Sequence, residues 1–459
     1  MIRVDSTLTP RSLKSAAERL FQASAAKVRS LERTWNPKDG SPVFTVDGKY
    51  RSRGWTEWTQ GFLYGSAILQ FDATDDAKAL SFGREGTLRR MASHVSHIGV
   101  HDHGFNNIST YGHLRRLARE GRYYAESSEI DFYELALKVS GAVQAARWTE
   151  LPEGLGYIYS FNGPHSLFAD TIRSLRVLGV AHQLGHVLMG ERDRPVSLLG
   201  RLLTHAETTA RFNVYFGEGR DRYDVKGRVA HESIFNVNDG SYRCPNSQQG
   251  YSPFTTWTRG LAWILCGYAE QLEFLAALPP SAFAAKSAKK SALERFQQVA
   301  IATADFYLRH TPTDGIPYWD TGAPGLAKLG DYLDRAADPY NDFEPVDSSA
   351  AAIAAQGLIR LGTFLVGSGR RAAGRRYVAA GLTVARTLLG EGYLSTSPDH
   401  QGLVLHAIYH RPNGWDQIHR GRKVPSGESC LWGDYHAREL ALMILRMAAG
   451  RPYPSFFQD

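Results

Sequence analysis

Residues Gln248–Phe274, QQGYSPFTTWTRGLAWILCGYAEQLEF, decide how the rest of the chain is read. The segment opens on two adjacent amides and a Gly-Tyr pair. It then passes through Trp257, Arg259 and Trp263 into a helix that is apolar on nearly every side. A helix of that kind is buried, whereas a surface helix keeps a polar face. Arg259 lies one helical turn before Trp263, so the two share a face. Aromatic rings, a guanidinium and the amide of Gln249 at the mouth of a buried helix suit a flat, anionic, hydroxyl-rich ligand such as an acidic sugar. Arginine can hold a carboxylate there through two parallel hydrogen bonds.

Five other stretches repeat this plan. WTEWTQGFLYGSAILQF (55–71) is apolar nearly all round, and the runs 102–119, 166–185, 347–362 and 431–447 are rich in small or apolar residues. The six buried helices begin near Trp58, Asp102, Phe168, Thr255, Asp347 and Leu431. Between them lie amphipathic runs at Ser12–Leu31, Asp75–Val95, Asp131–Trp148, Pro195–Phe216, the second part of 279–310, and Arg371–Leu389. A hairpin of one amphipathic and one apolar helix cannot bury its own apolar surface. Six such hairpins in succession therefore predict an all-α, (α/α)6 barrel, a toroid of six inner and six outer helices. Trp, Asp, Gly, Arg and His gather at the N-terminal ends of the inner helices, and the long loops precede those ends. Helix N-termini converging on one face make a funnel that favours anions. No boundary divides the chain, so one domain over 1–459 is expected, with loop insertions near 279–290 and 311–345. The Gly/Asp/Asn/Tyr-rich region 217–250 reads as a loop with short strands.

Bulk composition narrows the function classes. The net charge of +7 is dispersed without a basic block, so nucleic acid is not expected as a partner, while a mild positive field favours an anionic substrate. The 22 tyrosines and nine tryptophans exceed what a soluble chain usually carries; most fill the core, and the rest are available to line a sugar site. Cys244, Cys266 and Cys430 form neither a disulfide framework nor a metal motif, which suggests reduced thiols. The N-terminus lacks the apolar core of a signal peptide, and no run approaches the roughly 20 apolar residues of a membrane span. The expectation is a soluble cytoplasmic protein with no membrane partner, monomeric or homodimeric.

Two aspartates stand out. In HDHGF (101–105), Asp102 sits between two histidines at the start of a buried helix, either as a carboxylate for acid/base or ligand-orienting work or as a helix N-cap with flanking histidines. His101 and His103 have no third ligand placed by sequence, so no metal site is expected. In SLFADTIRSL (166–175), Asp170 lies among Leu167, Phe168, Ala169, Ile172 and Leu175. Apolar surroundings raise a carboxyl pKa and let it hold the proton a general acid needs. The alternatives are pairing with Arg173 or Arg176, or an N-cap. His231, in the loop before the opening stretch, could join the site, and YHRPNG (409–414) with WGDYHAREL (432–440) could cap it, although Trp432 and Tyr435 suit the core equally well.

Six motifs occur in order: HDHGF, FADTIRSL, QGYSPFTTWTRGLAW, DSSAAAIAAQGL, YHRPNG and LWGDYHARELAL. Together they resemble glycoside hydrolase family 88, the unsaturated glucuronyl hydrolases, with the unsaturated rhamnogalacturonyl hydrolases nearby. The likeness runs from about Trp58 to Leu442. It implies an (α/α)6 barrel, no cofactor, and an oligosaccharide substrate carrying a 4,5-unsaturated uronic acid at its non-reducing end. Hydration of that double bond, not displacement at C1, would release the sugar. By resemblance Asp170 is the acid and then the base, and Asp102 holds sugar hydroxyls and tunes it. Trp58, Phe62, His101, His231, Gln249, Trp257, Arg259 and Trp263 match sugar-contacting positions, and Phe161 stands where a stacking tryptophan is expected. His103 replaces an apolar residue, and TIRSL lacks an expected asparagine. These departures bear on substrate choice more than on reaction type. Two other classes compete: an inverting glycosidase on a saturated acidic sugar, and a non-catalytic sugar-binding toroid.

Overall fold

The computed structural model describes residues 1–54, 57–283 and 285–457. Trp55 and Thr56 at the start of the first expected inner helix, Ala284 within the 279–290 loop, and the terminal Gln458 and Asp459 lie outside the described residues.

Twelve principal helical runs alternate as the sequence predicts. In chain order they are α1 (Lys14–Thr34), α2 (Gln60–Thr74), α3 (Ala77–Arg90), α4 (His103–Asn106, a π-helical Ile108–Gly112 and His113–Arg119 in succession), α5 (Ser127–Ala146) and α6 (Thr171–Ser174 with Arg176–Gln183). They continue as α7 (Leu198–Phe212), α8 (Thr258–Ala277), α9 (Lys286–Arg309), α10 (Ser348–Gly367), α11 (Arg371–Leu388) and α12 (Leu431–Ala448). The even-numbered helices form the inner wall. α2 packs on α4, α4 on α6, α6 on α8, α8 on α10, α10 on α12, and α12 returns to α2, so the ring closes. The odd-numbered helices surround them: α1 packs on α12, α3 on α2, α5 and α7 on α6, α9 on α8 and α11 on α10. Burial follows the sequence. α2 is buried from Gln60 to Asp72, whereas α1 buries one stripe through Ala17, Leu20, Phe21, Val28 and Leu31.

Two readings need correction. The third inner helix starts after Asp170, later than expected. Ser166–Phe168 is instead a strand, paired antiparallel with Glu232–Phe235, which pairs in turn with Tyr242–Asn246. This small sheet rises from the 217–250 region and brings His231 beside α6, where its carbonyl accepts the Ala169 N–H at 2.8 Å. The second correction concerns α10, which is long and apolar enough to cross a membrane. Within the ring its surface is taken up by α8, α11 and α12.

The closest approach in the inner wall is between α4 and α6, at Gly104. A Cβ on Gly104 would lie 1.9 Å from the Ser174 carbonyl oxygen, far inside van der Waals contact. The Gly104 N–H donates to Ser174 Oγ at 2.9 Å, and that hydroxyl donates to the His101 carbonyl at 2.7 Å. Gly104→Ala must therefore push the two helices apart, at a cost of about 1–3 kcal/mol. Because Asp102 and Asp170 immediately precede these two helices, turnover should fall along with the thermal midpoint. An alanine variant with unchanged melting and kcat would show that the contact does not set the site.

Candidate active site

At the N-terminal ends of the inner helices a cleft of about 610 Å³, its open mouth included, is lined by nine of the eleven residues expected from the sequence: Trp58, His101, Asp102, Phe161, Asp170, Gln249, Trp257, Arg259 and Trp263. Phe62 and His231 stand one layer behind. Phe62 packs edge-on against Trp58, with ring centroids 5.8 Å apart, and His231 lies 4.7 Å from Trp257. The His231 Nδ1 accepts the backbone N–H groups of Gln248 and Gln249 at 3.1 and 3.2 Å. Burial lowers its pKa to about 4, so the ring is neutral with its proton on Nε2.

Asp102 and Asp170 occupy the N-cap positions of α4 and α6, yet neither carboxylate caps its helix. Both instead stand beside His101, whose Nε2 is 3.4 Å from Asp170 Oδ1 and 3.8 Å from Asp102 Oδ1. The arginines suggested as partners of Asp170 are engaged elsewhere: Arg173 pairs with Glu270 and Glu439, and Arg176 with Glu270. His103, read with Asp102 as a histidine flanking a helix N-cap, is buried in the wall. Its Nδ1 is 2.9 Å from Ser140 Oγ and its Nε2 2.8 Å from the His97 carbonyl.

The electrostatics refine the reading of Asp170. Its apolar neighbours are all buried, and burial does push the carboxyl upward. Contact with His101 and the charge of His101 outweigh that, and Asp170 settles below its ordinary value. Burial raises Asp102, with the charge of Asp170 adding to it against the pull of His101. Burial also depresses His101, but the two carboxylates outweigh it and raise the imidazole above 6.5. The proton of the cluster therefore rests on His101 in the free protein. Both nitrogens of His101, Asp170 Oδ1, His231 Nε2 and Gln248 Oε1 are buried without a hydrogen-bond partner in the protein. Buried polar atoms are rarely left so; His101, Asp170 and Gln248 line the cleft, and His231 stands directly behind it.

Arg259 differs from the open fork expected of it. Its guanidinium donates to Asp347 Oδ2 at 2.9 Å, the Tyr409 carbonyl at 2.7 Å, the Gln249 side-chain oxygen at 3.2 Å and the Ile408 carbonyl. It also lies over the rings of Trp257 and Trp432, 4.6 and 5.0 Å from their centroids. Arg259 thus ties the mouth of α8 to the N-cap of α10 and the 408–409 loop. Holding the Gln249 oxygen leaves that amide's NH2 as its remaining polar group in the cleft lining.

Tyr409 and His410 line the cleft, as YHRPNG allowed, while Trp432 and Tyr435 are core. Sequence reading missed Trp415, which lies over Arg53 at 4.7 Å and 4.8 Å from His410, and Phe105, which packs on Trp263 at 4.9 Å. The available signal for Trp415 was a tryptophan directly after a Pro-Asn-Gly turn, where a core role is least expected.

No protein-family model matches the chain. It is 25% identical over 425 residues to an unsaturated glucuronyl hydrolase of Bacillus sp. (strain GL1), spanning 90% of this chain and 92% of that protein. It is 23% identical over 388 residues to an unsaturated glucuronyl hydrolase of Formosa agariphila, spanning 83% and 78%. The crystal structure of an unsaturated glucuronyl hydrolase specific for heparin matches 96% of this chain and 100% of its own, with a TM-score of 0.72 at 18% identity, a likeness of fold. Over most of its length the chain is thus similar in sequence to proteins named unsaturated glucuronyl hydrolase, and its (α/α)6 barrel is the fold of that enzyme's crystal structure.

Proposed function

We propose that this protein is a hydrolase that releases a 4,5-unsaturated uronic acid from the non-reducing end of lyase-generated oligosaccharides by hydrating the C4=C5 bond. The observation that carries this reading is the trio of Asp102, His101 and Asp170 in an aromatic cleft, with buried polar atoms that no protein group satisfies. Two related sequences share the activity in their names.

In this reading Asp170, supplied from His101, protonates C4, and positive charge develops on C5 and the ring oxygen. Asp170, now ionised, draws a proton from water as it adds at C5. The hemiketal opens and the aglycone leaves. The reaction consumes only water, so no oxidant, reductant or cofactor enters the balance. Asp102 orients hydroxyls and holds negative charge against His101. Trp58, Phe161, Trp257 and Trp263 supply apolar faces for the ring, and Gln248 and Gln249 supply amides.

The test is turnover of an unsaturated uronyl disaccharide, followed as loss of the ultraviolet absorbance of the conjugated enol ether. Cleavage of a saturated glucuronide instead, with labelled water entering at C1, would replace this reading with an inverting glycosidase; binding without turnover of either would leave a sugar-binding toroid.

The same assay has a pH dependence of known sign. The active form carries the cluster proton, and the pKa of His101 is raised, so activity persists through 6.5 and declines as the pH climbs through the elevated value. His101→Gln should remove this alkaline limb. A wild-type profile of kcat/KM that stays flat into the alkaline range would take the proton off His101.

A further inference from the structure

His231 steadies one wall of the cleft through the Gln248 and Gln249 N–H groups, and the residue after it, Glu232, holds more of the same wall. Glu232 is 1% exposed and makes no ion pair among the described residues. Neutral donors meet its carboxylate instead. Oε1 accepts the Ser166 hydroxyl and, at 3.1 Å, the Asn162 side-chain NH2; Oε2 accepts the Asn246 NH2 at 2.6 Å. Because the Ser166 hydroxyl gives its proton to Glu232, Ser160 must donate to Ser166, Oγ to Oγ at 2.7 Å, and Ser160 Oγ in turn accepts the Asn162 backbone N–H at 3.1 Å. The whole turn 160–166 is thus oriented by one carboxylate.

Its partners lead to two parts of the cleft lining. The turn 160–166 carries Phe161, whose ring stacks 6.0 Å from that of His101 at 27°. Asn246 ends the strand Tyr242–Asn246, two residues before Gln248. The residue type is also specific. Every group facing Glu232 is a donor, and a carboxylate accepts on both oxygens, whereas the NH2 of a glutamine would confront a donor. A buried charge without a cation is costly. The sheet does not require it, since Ser166–Phe168, Glu232–Phe235 and Tyr242–Asn246 are already joined by their backbone ladders. What the charge adds is short, directional hydrogen bonds to the loops that leave the sheet.

We propose that Glu232 is a positioning residue: it sets Phe161 and Gln248 at the spacing that grips the sugar, so its loss loosens binding and leaves the chemical step intact. This rests on the reading of the cleft as the site of the unsaturated sugar.

Glu232→Gln and Asn162→Ala test it on the full chain, with an unsaturated uronyl disaccharide as the probe. Asn162 is exposed, so its truncation removes one hydrogen bond to Glu232 without opening the core. Glu232→Gln is expected to raise KM roughly tenfold, the weight of a hydrogen bond to a charged group, while kcat stays within about twofold. Asn162→Ala should move KM the same way and less far. Phe161→Ala should raise KM on its own but add little in the Glu232→Gln background, because the ring has already lost its seat. Calorimetry in the Asp170→Asn background reads the same losses as dissociation constants, without turnover. Absence of turnover in the wild type removes the proposed activity, and the dissociation constants then decide this inference alone. Unchanged affinity in both variants overturns it, as does no saturable binding at all. A lower thermal midpoint with KM unmoved, or full additivity with Phe161→Ala, overturns it too and leaves Glu232 a support of the sheet.

Discussion

Asp170→Asn is expected to lower kcat by roughly three orders of magnitude, the upper part of what a positioned general acid contributes. The substitution keeps the shape of the side chain and removes only its ability to donate and accept the proton. It should cost little stability, because Asp170 pairs with neither Arg173 nor Arg176 and its carboxylate caps no helix. The variant should therefore melt within a degree or two of the wild type and still bind the unsaturated disaccharide, with KM moved less than kcat. Asp102→Asn is the comparison. Asp102 approaches the same nitrogen, His101 Nε2, from further off, 3.8 Å against 3.4 Å for Asp170, so its loss should weaken the hold on the imidazolium proton and slow turnover less severely. A near-normal rate in Asp170→Asn with a collapse in Asp102→Asn would exchange the two roles.

What could be read from the chain, and what could not, divides along physical lines. Helix identity and inner-versus-outer placement follow from periodicity, which is local, so α8 and α10 announced themselves as buried through their own residues. The gathering of Asp102, Asp170 and Trp257 at one mouth followed from closing six hairpins into a ring. The cost of closing it was not visible. Arg259 looked like a free grip on a substrate carboxylate because its internal acceptors, Asp347 and the 408–409 carbonyls, are about 90 to 150 residues further along the chain. Asp170 looked like an acid raised by apolar neighbours because the histidine that opposes that rise, His101, comes from the loop just before α4, some 70 residues earlier. In both cases the residue type was right and the partner, set by tertiary contact, changed its role. Trp415 escaped for the converse reason: its position after a Pro-Asn-Gly turn is local, but that position alone does not say which cleft a loop tryptophan faces.

Glu270→Gln is expected to destabilise the protein by about 3–5 kcal/mol, the cost of leaving buried charge uncompensated. Beneath the cleft the ring axis is filled by ions, not by hydrocarbon. Glu270, on α8 and 1% exposed, lies 3.1 Å from Arg173 Nε, 3.4 Å from Arg176 Nη1 and 3.8 Å from Arg360 Nε. Glu439 on α12 takes Arg173 Nη2 at 3.1 Å, and Glu273 takes Arg360 Nη1 at 2.7 Å. Burial pushes the Glu270 carboxyl up, but the three guanidinium groups outweigh it and hold it below the ordinary glutamate value, so it is ionised at neutral pH. Neutralising it keeps the volume and leaves three buried arginines facing two glutamates. Arg173 also lies over the Trp263 ring, 5.7 Å from its centroid, so the disturbance reaches the cleft floor. For a chain this long the penalty should appear as a fall of roughly 5–10 °C in the thermal midpoint. Glu18→Gln supplies the contrast. It removes one side of the Lys14–Glu18 pair, whose side chains are 59% and 48% exposed, and solvent screening leaves such a pair worth less than about 1 kcal/mol. If the two variants melt together, the axial network is not holding the inner wall, and the hydrocarbon contacts between neighbouring inner helices must carry that load.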